Sequence, residues 1–111
     1  PRYIQRSSYA INGEGGVPAA APGFFKARDA DDARTLVAHH AAGGVDLLKT
    51  YTNVSLPAYE ALVAEAAKHG LRVAGHLPVR APLRTVLAAG QHSVEHPRIC
   101  LFECFRGAGE F

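Results

Sequence analysis

The sequence predicts an α/β fold in which parallel strands alternate with helices. Helical patterns and short apolar runs follow one another along the chain, and the connections between them are only a few residues long. No hairpin signal separates the apolar runs. Parallel strands joined by right-handed crossover helices account for these observations. With 111 residues, the chain is long enough for one domain and a modest core.

Residues 3–11 predict the first strand, because aromatic residues, Ile and Ser alternate loosely along them. The segment 12–18 that follows is rich in glycine and predicts a loop. Its glycines Gly13, Gly15 and Gly16 leave open one weaker hypothesis, a phosphate-binding module. A phosphate loop needs a helix directly behind it, whereas prolines and alanines follow here, so a flexible connection is favoured.

Asp29 to Ala42 predicts the first helix. Asp29 can cap its N-terminal end, where two further aspartates suit the helix dipole. His39 and His40 lie in the last turn and are expected at the surface as capping cations, because adjacent helical positions do not easily face one metal. The apolar stripe that we expect to be buried consists of Ala33, Leu36, Val37 and Ala41.

A second helix is predicted to begin at Ser55, which can cap it, with Pro57 in its first turn and Gly70 at its end. Its buried face is expected to contain Tyr59, Leu62, Val63, Ala66 and Ala67. The remaining elements are predicted as a strand over 71–76, a short helix from about Pro82 to Ala89, a strand over 91–96 and a helix after Pro97.

Three successive predicted strands each end in a polar side chain: Lys49, His76 and His96. A glycine lies six residues before each of them. Because six is even and side chains alternate along a strand, we expect all three on the same side of one sheet. Functional groups of parallel sheets gather at such carboxyl ends. Tyr51 should share the face of Lys49, whereas Glu95 and His96 alternate and are expected on different faces.

The composition excludes two classes of partner. Apolar residues make up 48% of the chain, but no segment approaches the roughly 18 consecutive apolar residues of a membrane span. The formal charge of +2 is spread over both halves without a basic cluster, which argues against nucleic-acid binding. Cys100 and Cys104 follow no signal peptide and are predicted to be reduced, buried thiols in a cytoplasmic protein.

Three motifs, in their order along the chain, resemble the amidohydrolase superfamily, especially members related to imidazolonepropionase and metal-dependent Xaa-Pro dipeptidases. They are Gly-Val-Asp-Leu-Leu-Lys-Thr-Tyr at 44–51, Val-Ala-Gly-His-Leu-Pro at 73–78 and Ala-Gly-Gln-His-Ser-Val-Glu-His at 89–96. The resemblance implies strands four to six of a (β/α)8 barrel, with residues 3–11 similar to strand three. Since a complete barrel takes about 250 residues, the implied architecture is about half of a TIM-like barrel, a single partial domain over 1–111.

The resemblance also implies a function. Lys49 matches a lysine that carbon dioxide often carboxylates, so that it bridges two divalent metals, of which zinc is favoured here. His76 and His96 match metal-binding histidines, and Tyr51 is a candidate for contact with substrate. The implied reaction is hydrolysis of a C–N bond in a small-molecule amide, peptide or cyclic amide by a metal-activated water.

Two parts of the family pattern are absent, and they leave an alternative open. The sequence contains no His-x-His pair, which the family carries after its first strand, and nothing matches the Asp after its eighth. Whether this chain is an enzyme therefore stays open, and we expect the isolated chain to be inactive. Open sheet edges favour pairing with a missing barrel half or a second copy. The alternative is a non-catalytic half-barrel that homo-oligomerises as a binding or structural module.

Overall fold

A computed structural model of the chain describes residues 5–15 and 21–96. The elements are β1 (Ser7–Asn12), β2 (Phe24–Lys26), α1 (Ala30–Ala42), β3 (Leu47–Thr50), α2 (Leu56–Lys68), β4 (Arg72–His76), α3 (Leu83–Ala88) and β5 (Ser93–Glu95). From β2 onward strands and helices alternate, as the sequence predicts, whereas β1 and β2 follow each other directly. The predicted helix after Pro97 and the two cysteines lie outside the described residues.

The five strands form one parallel sheet in the order β2-β1-β3-β4-β5. The α/β class and the parallel pairing are therefore confirmed. Lys49 is in register with Ala10 on one side and with Ala74 on the other, and Ala74 is in register with Ser93. Residues in register share a face of the sheet, so these positions line one surface.

Strand β2 was not predicted. Its three residues pair with Ala10, Ile11 and Asn12 along the outer side of β1, and no element was assigned to them from the sequence. The segment Phe24–Lys26 is too short to show a period of two, and the preceding Pro22 and Gly23 indicate a turn. Its place in the sheet is set by pairing with β1 and not by local sequence pattern.

Helix α1 has the predicted N-terminal cap. The Oδ1 atom of Asp29 accepts hydrogen bonds from the backbone N–H groups of Asp31 (3.0 Å) and Asp32 (2.8 Å). The prediction that both histidines of the last turn lie at the surface is wrong for His40, which is only 5% exposed. Its Nδ1 donates to the carbonyl of Leu36 at 2.8 Å, so the helix backbone provides a hydrogen-bond partner for one of the two ring nitrogens.

The core lies between the three helices and one face of the sheet. Ser55 caps α2, with its Oγ accepting from the N–H of Ala58 at 3.4 Å, as predicted. Among the described residues, no helix is long and apolar enough to cross a membrane. The helix-facing side of the sheet contributes Ile11, Leu48 and Val73 to the core, and the helices contribute Val37, Tyr59, Leu62 and Val86.

Candidate functional site

Lys49 lies on the face of the sheet opposite the helices, since its neighbours Leu48 and Thr50 are fully buried in the core layer. Its backbone N–H donates to the hydroxyl of Ser8 at 2.9 Å, which ties β3 to β1. Its Nζ atom lies 2.5 Å from Oε2 of Glu95 on β5. The site therefore contains an ion pair that spans β4.

Glu95 is a site residue that the sequence reasoning missed. It is in register with His76, two residues beyond the Ala74 that pairs with Lys49, and so it shares their face. The hydrogen bond from Lys49 is the largest cause that lowers the pKa of the Glu95 carboxyl below its usual range. Strand alternation from Lys49 through the sheet register was the signal that could have identified it.

His76 is the last residue of β4 and is half-buried. Its Nδ1 atom is buried and has no hydrogen-bond partner among the described residues. Burial is the largest cause that lowers the pKa of the His76 imidazole, and the nearby charges of His96 and Lys49 lower it further. The neutral ring, with a free nitrogen lone pair, is thus favoured at this position.

His96 reaches the site by a route that differs from the predicted alternation. It follows β5 directly and adopts a left-handed conformation with φ of 54°, which is uncommon for a residue other than glycine. Its ring stacks on His76 with a centroid separation of 4.7 Å and an interplanar angle of 27°. The expectation that Glu95 and His96 lie on different faces fails because the chain leaves the strand conformation between them.

Tyr51 and Phe24 extend this pair into a row of rings. The ring of Tyr51 lies 4.3 Å from that of His76, and Phe24 of β2 packs edge-on against Tyr51 at 5.0 Å. Phe24, Tyr51, His76 and His96 therefore form an aromatic row that runs from the start of β2 across the carboxyl ends of β3, β4 and β5. Tyr51 adjoins His76 at this face, and its contact with substrate stays a prediction, whereas Phe24 was missed because β2 was missed.

The backbone at the end of β4 is unusual. Gly75 has φ of +120°, and a Cβ atom there would lie 2.5 Å from the carbonyl oxygen of Thr50. His76 extends one residue past the last register pair of β3 and β4, and the Thr50 hydroxyl lies 2.9 Å from its carbonyl oxygen. A side chain of β3 thus provides a hydrogen bond just beyond the last register pair of β3 and β4, while His76 remains in register with Glu95 of β5.

The glycine loop after β1 has a structural explanation. A Cβ atom on Gly13 would lie 1.9 Å from the carbonyl oxygen of Asn53, so only glycine fits this approach. Asn12 accepts a hydrogen bond from the N–H of Asn53 at 2.8 Å, and the Asn53 amide donates to the carbonyl of Gly15 at 2.8 Å. The loop is held against the segment after β3, which differs from the flexible connection predicted. Gly16 lies outside the described residues.

The metal-binding donors on this face are the nitrogen atoms of His76 and His96 and the carboxylate of Glu95, which is paired with Lys49. In residues 5–15 and 21–96, no group of three or more His, Cys, Asp or Glu side chains comes together in a way that could hold a metal ion. A third ligand from Lys49 would require the amine to become an anion. The free, buried Nδ1 of His76 fits a metal-binding role, because such an atom otherwise carries the cost of an unmade hydrogen bond.

The fold and the site define a class: an α/β protein whose parallel strand ends gather a lysine, a carboxylate and two imidazoles. A solved structure named bottromycin amidohydrolase is similar to this chain, with a TM-score of 0.63 and 28% sequence identity. The match covers 72% of this chain and 18% of that one. No protein-family model matches, and no curated protein does. The likeness supports an amidohydrolase-like, hydrolase relationship.

Proposed function

We propose that this chain supplies metal-binding strand ends of a metal-dependent hydrolase of the amidohydrolase superfamily. The reaction is hydrolysis of a C–N bond in an amide, peptide or cyclic amide. The observation that carries the proposal is the pair of imidazoles of His76 and His96 at adjacent strand ends, 4.7 Å apart, with one buried nitrogen that has no partner among the described residues. Lys49 lies on the same face as His76.

The strand order supports a further step, that the sheet forms about half of a (β/α)8 barrel. Strands β1, β3, β4 and β5 are neighbours in the order in which they follow along the chain, with helices between the last three. Consecutive strands of such a barrel are adjacent and parallel in the same way. Strand β2 is an addition to this order at the outer edge of β1.

The ligands we assign are His76, His96 and Lys49, the last after carboxylation. Zinc or another divalent ion, when bound, would polarise the substrate carbonyl and lower the pKa of a bound water. His76 is suited to ligation because the lowered pKa of its ring favours the neutral form. Carboxylation of the Lys49 ammonium joins its nitrogen to the carbon of carbon dioxide and releases two protons, so that the side chain changes from a cation to an anion and Glu95 loses its cationic partner.

Tyr51 is assigned to the substrate side of the site. Its ring is half-buried and adjoins His76, so its exposed part lies beside the proposed metal ligands. Phe24 packs edge-on against it and restricts its movement. A substrate held near His76 would therefore contact the ring of Tyr51.

Metal content per chain, measured by mass spectrometry on protein purified without chelator, tests this function. We expect near-stoichiometric zinc, cobalt or manganese in the parent and a clear loss in Lys49→Ala and His76→Ala. The control is His69→Ala, because His69 lies at the C-terminal end of α2 and pairs with Glu65 at 3.4 Å. Metal uptake by both site variants equal to that of the parent would remove these residues from the proposed centre.

The ion pair of Lys49 and Glu95 favours a second candidate function. It balances the charge of Lys49 without a metal, as expected for a non-catalytic half-barrel that homo-oligomerises as a binding or structural module. Sedimentation equilibrium of metal-free protein separates the two candidates. A stable oligomer that takes up no added zinc supports the module, whereas uptake of zinc that depends on His76 supports the hydrolase.

A further inference from the structure

A buried tyrosine and a glutamine form a hydrogen-bonded pair behind the candidate site. Tyr59 of α2 is fully buried, and its hydroxyl donates to Oε1 of Gln91 at 3.0 Å. Burial raises the pKa of Tyr59 to about 12, so the hydroxyl stays protonated at neutral pH and remains a donor. This bond fixes which end of the Gln91 amide faces the helix and which faces the sheet.

The other end of the amide contacts the strands that carry the candidate ligands. Nε2 of Gln91 lies 2.9 Å from the carbonyl oxygen of Ser93, where β5 begins. It lies 3.3 Å from the carbonyl oxygen of Gly75 and 3.5 Å from that of His76, at the end of β4. A single side chain therefore links α2 to both strands.

These carbonyl contacts lie on both sides of the Cα atom of His76. The carbonyl of Gly75 belongs to the peptide plane that precedes the Cα atom of His76, and the carbonyl of His76 belongs to the plane that follows it. Gln91 contacts the first, and Thr50 donates to the second at 2.9 Å. Gly75 and His76 are in register with Val94 and Glu95 of β5, whereas the register with β3 ends at Gly75. The side-chain donors of Gln91 and Thr50 therefore add to the strand ladder in holding these planes.

We propose that Tyr59 and Gln91 are positioning residues for His76. They hold the peptide plane before His76 and so set the direction of its imidazole and its contact with His96. This role rests on the proposed function, in which His76 is a metal ligand. It does not require either residue to touch metal or substrate. Tyr59 acts only through Gln91, because its hydroxyl bonds the amide and not the strands.

Three variants and one control test the positioning role in metal-free protein. Tyr59→Phe removes only the hydroxyl, Gln91→Met removes the amide at similar length, and the third variant combines them. Val37→Ala removes buried apolar volume from the same core but no hydrogen-bonding group. Spectra of all variants are compared at denaturant concentrations that give each the same free energy of unfolding. The readout is NMR of histidine-labelled protein, which reports the ring signals of His76 and its proton contacts with His96.

We expect Tyr59→Phe and Gln91→Met to shift the ring signals of His76 and to weaken its proton contacts with His96. The combined variant should match Gln91→Met alone, because the hydroxyl acts through the amide. Val37→Ala should leave these signals in place. Unchanged His76 signals in both single variants would overturn the proposal, and so would equal shifts in Val37→Ala. If Gln91→Met does not fold, the comparison of Tyr59→Phe with Val37→Ala decides.

Zinc affinity, measured by competition with a chromogenic chelator, separates this proposal from the function on which it rests. Loss of a group that orients a metal ligand typically lowers affinity about 10- to 100-fold, and we expect Gln91→Met in this range with Val37→Ala near the parent. A parent chain that binds no zinc would end the proposed function, while the NMR comparison would still decide the positioning role.

Discussion

Lys49 and Glu95 are joined across an intervening strand. They lie on β3 and β5, 46 residues apart in sequence, and Nζ lies 2.5 Å from Oε2. Between them, β4 places Ala74 in register with Lys49, and the side chain of Ala74 is a single methyl group. The pair balances the charges of a face that also carries two imidazoles. Each side chain keeps part of its surface in water, 32% for Lys49 and 41% for Glu95.

Glu95→Gln tests how much this pair contributes. The pKa of Glu95 is lowered by its hydrogen bond with Lys49, so its stabilisation is complete above the ordinary carboxyl pKa of about 4.3 and is lost as pH falls through the lowered value. Because the pair is partly exposed, we expect a loss below about 1 kcal/mol at pH 7. Urea unfolding at pH 7 and pH 3 should show a smaller difference at the lower pH. Glu60→Gln, on the exposed side of α2, is the control, and an equal effect there would contradict the prediction.

His76 should titrate below the ordinary histidine pKa of about 6.5 in metal-free protein. The unfolded chain binds this proton more readily, so the folded state loses stability as pH falls from about 6.5 through the lowered pKa. Lys49→Met removes a nearby positive charge and leaves the Glu95 carboxylate, and both effects should raise the midpoint. Lys68→Met, which removes a lysine paired with Glu65 on α2, should not. NMR titration of the His76 ring measures each midpoint, and no rise in Lys49→Met would contradict the assignment of the charge effect.

Gly75→Ala should destabilise the chain by about 3 kcal/mol, because positive φ and a backbone clash add at one position. A Cβ atom would lie 2.5 Å from the carbonyl oxygen and 3.0 Å from the nitrogen of Thr50. Gly90→Ala is the matched control, since φ is +74° but nothing lies within 4 Å of its Cβ position. We expect about 1 kcal/mol there. Chemical denaturation measures the free energy of unfolding of both variants. Equal losses would contradict the prediction, because they would mean that the backbone at Thr50 moves away from the added Cβ atom at little cost in free energy.

Asp29→Ala should remove the cap of α1 and cost about 1 kcal/mol. The carboxylate accepts from two backbone N–H groups in the first turn. These groups have no carbonyl of a preceding helical turn to bond with. Asp31→Ala is the control within the same turn, because its side chain is exposed and pairs only with Arg34. That change should stay below about 0.5 kcal/mol. Thermal or urea unfolding gives both values, and a larger effect at Asp31 would contradict the role of the cap.

Local features of the fold were predictable from the sequence. The caps at Asp29 and Ser55 and the end of α2 before Gly70 depend on side chains and backbone within one helical turn. The placement of Lys49 and His76 on one face follows from alternation along two strands in register. Each of these features is determined by residues close in sequence to the pattern that predicts the feature.

Features that depend on distant partners were missed. The burial of His40 depends on contact with Phe25, whose ring lies 5.3 Å away on a strand that itself forms only by pairing with β1. Glu95 was identified only through its bond with Lys49, and Gln91 only through Tyr59, 32 residues away. The pattern of apolar residues in a short stretch of sequence does not reveal these pairings, because they depend on the register between distant strands. A shift of that register by one residue would change all of them.

The short strand β2 also bears on aggregation. It covers three residues at one end of β1 and offers a foreign strand only three residues of its own outer edge, of which the last is the exposed cation Lys26. Short, charged edge strands are poor templates for the intermolecular pairing that leads to amyloid-like assembly. The same three residues that place Phe24 beside Tyr51 thus protect this side of the sheet from uncontrolled growth.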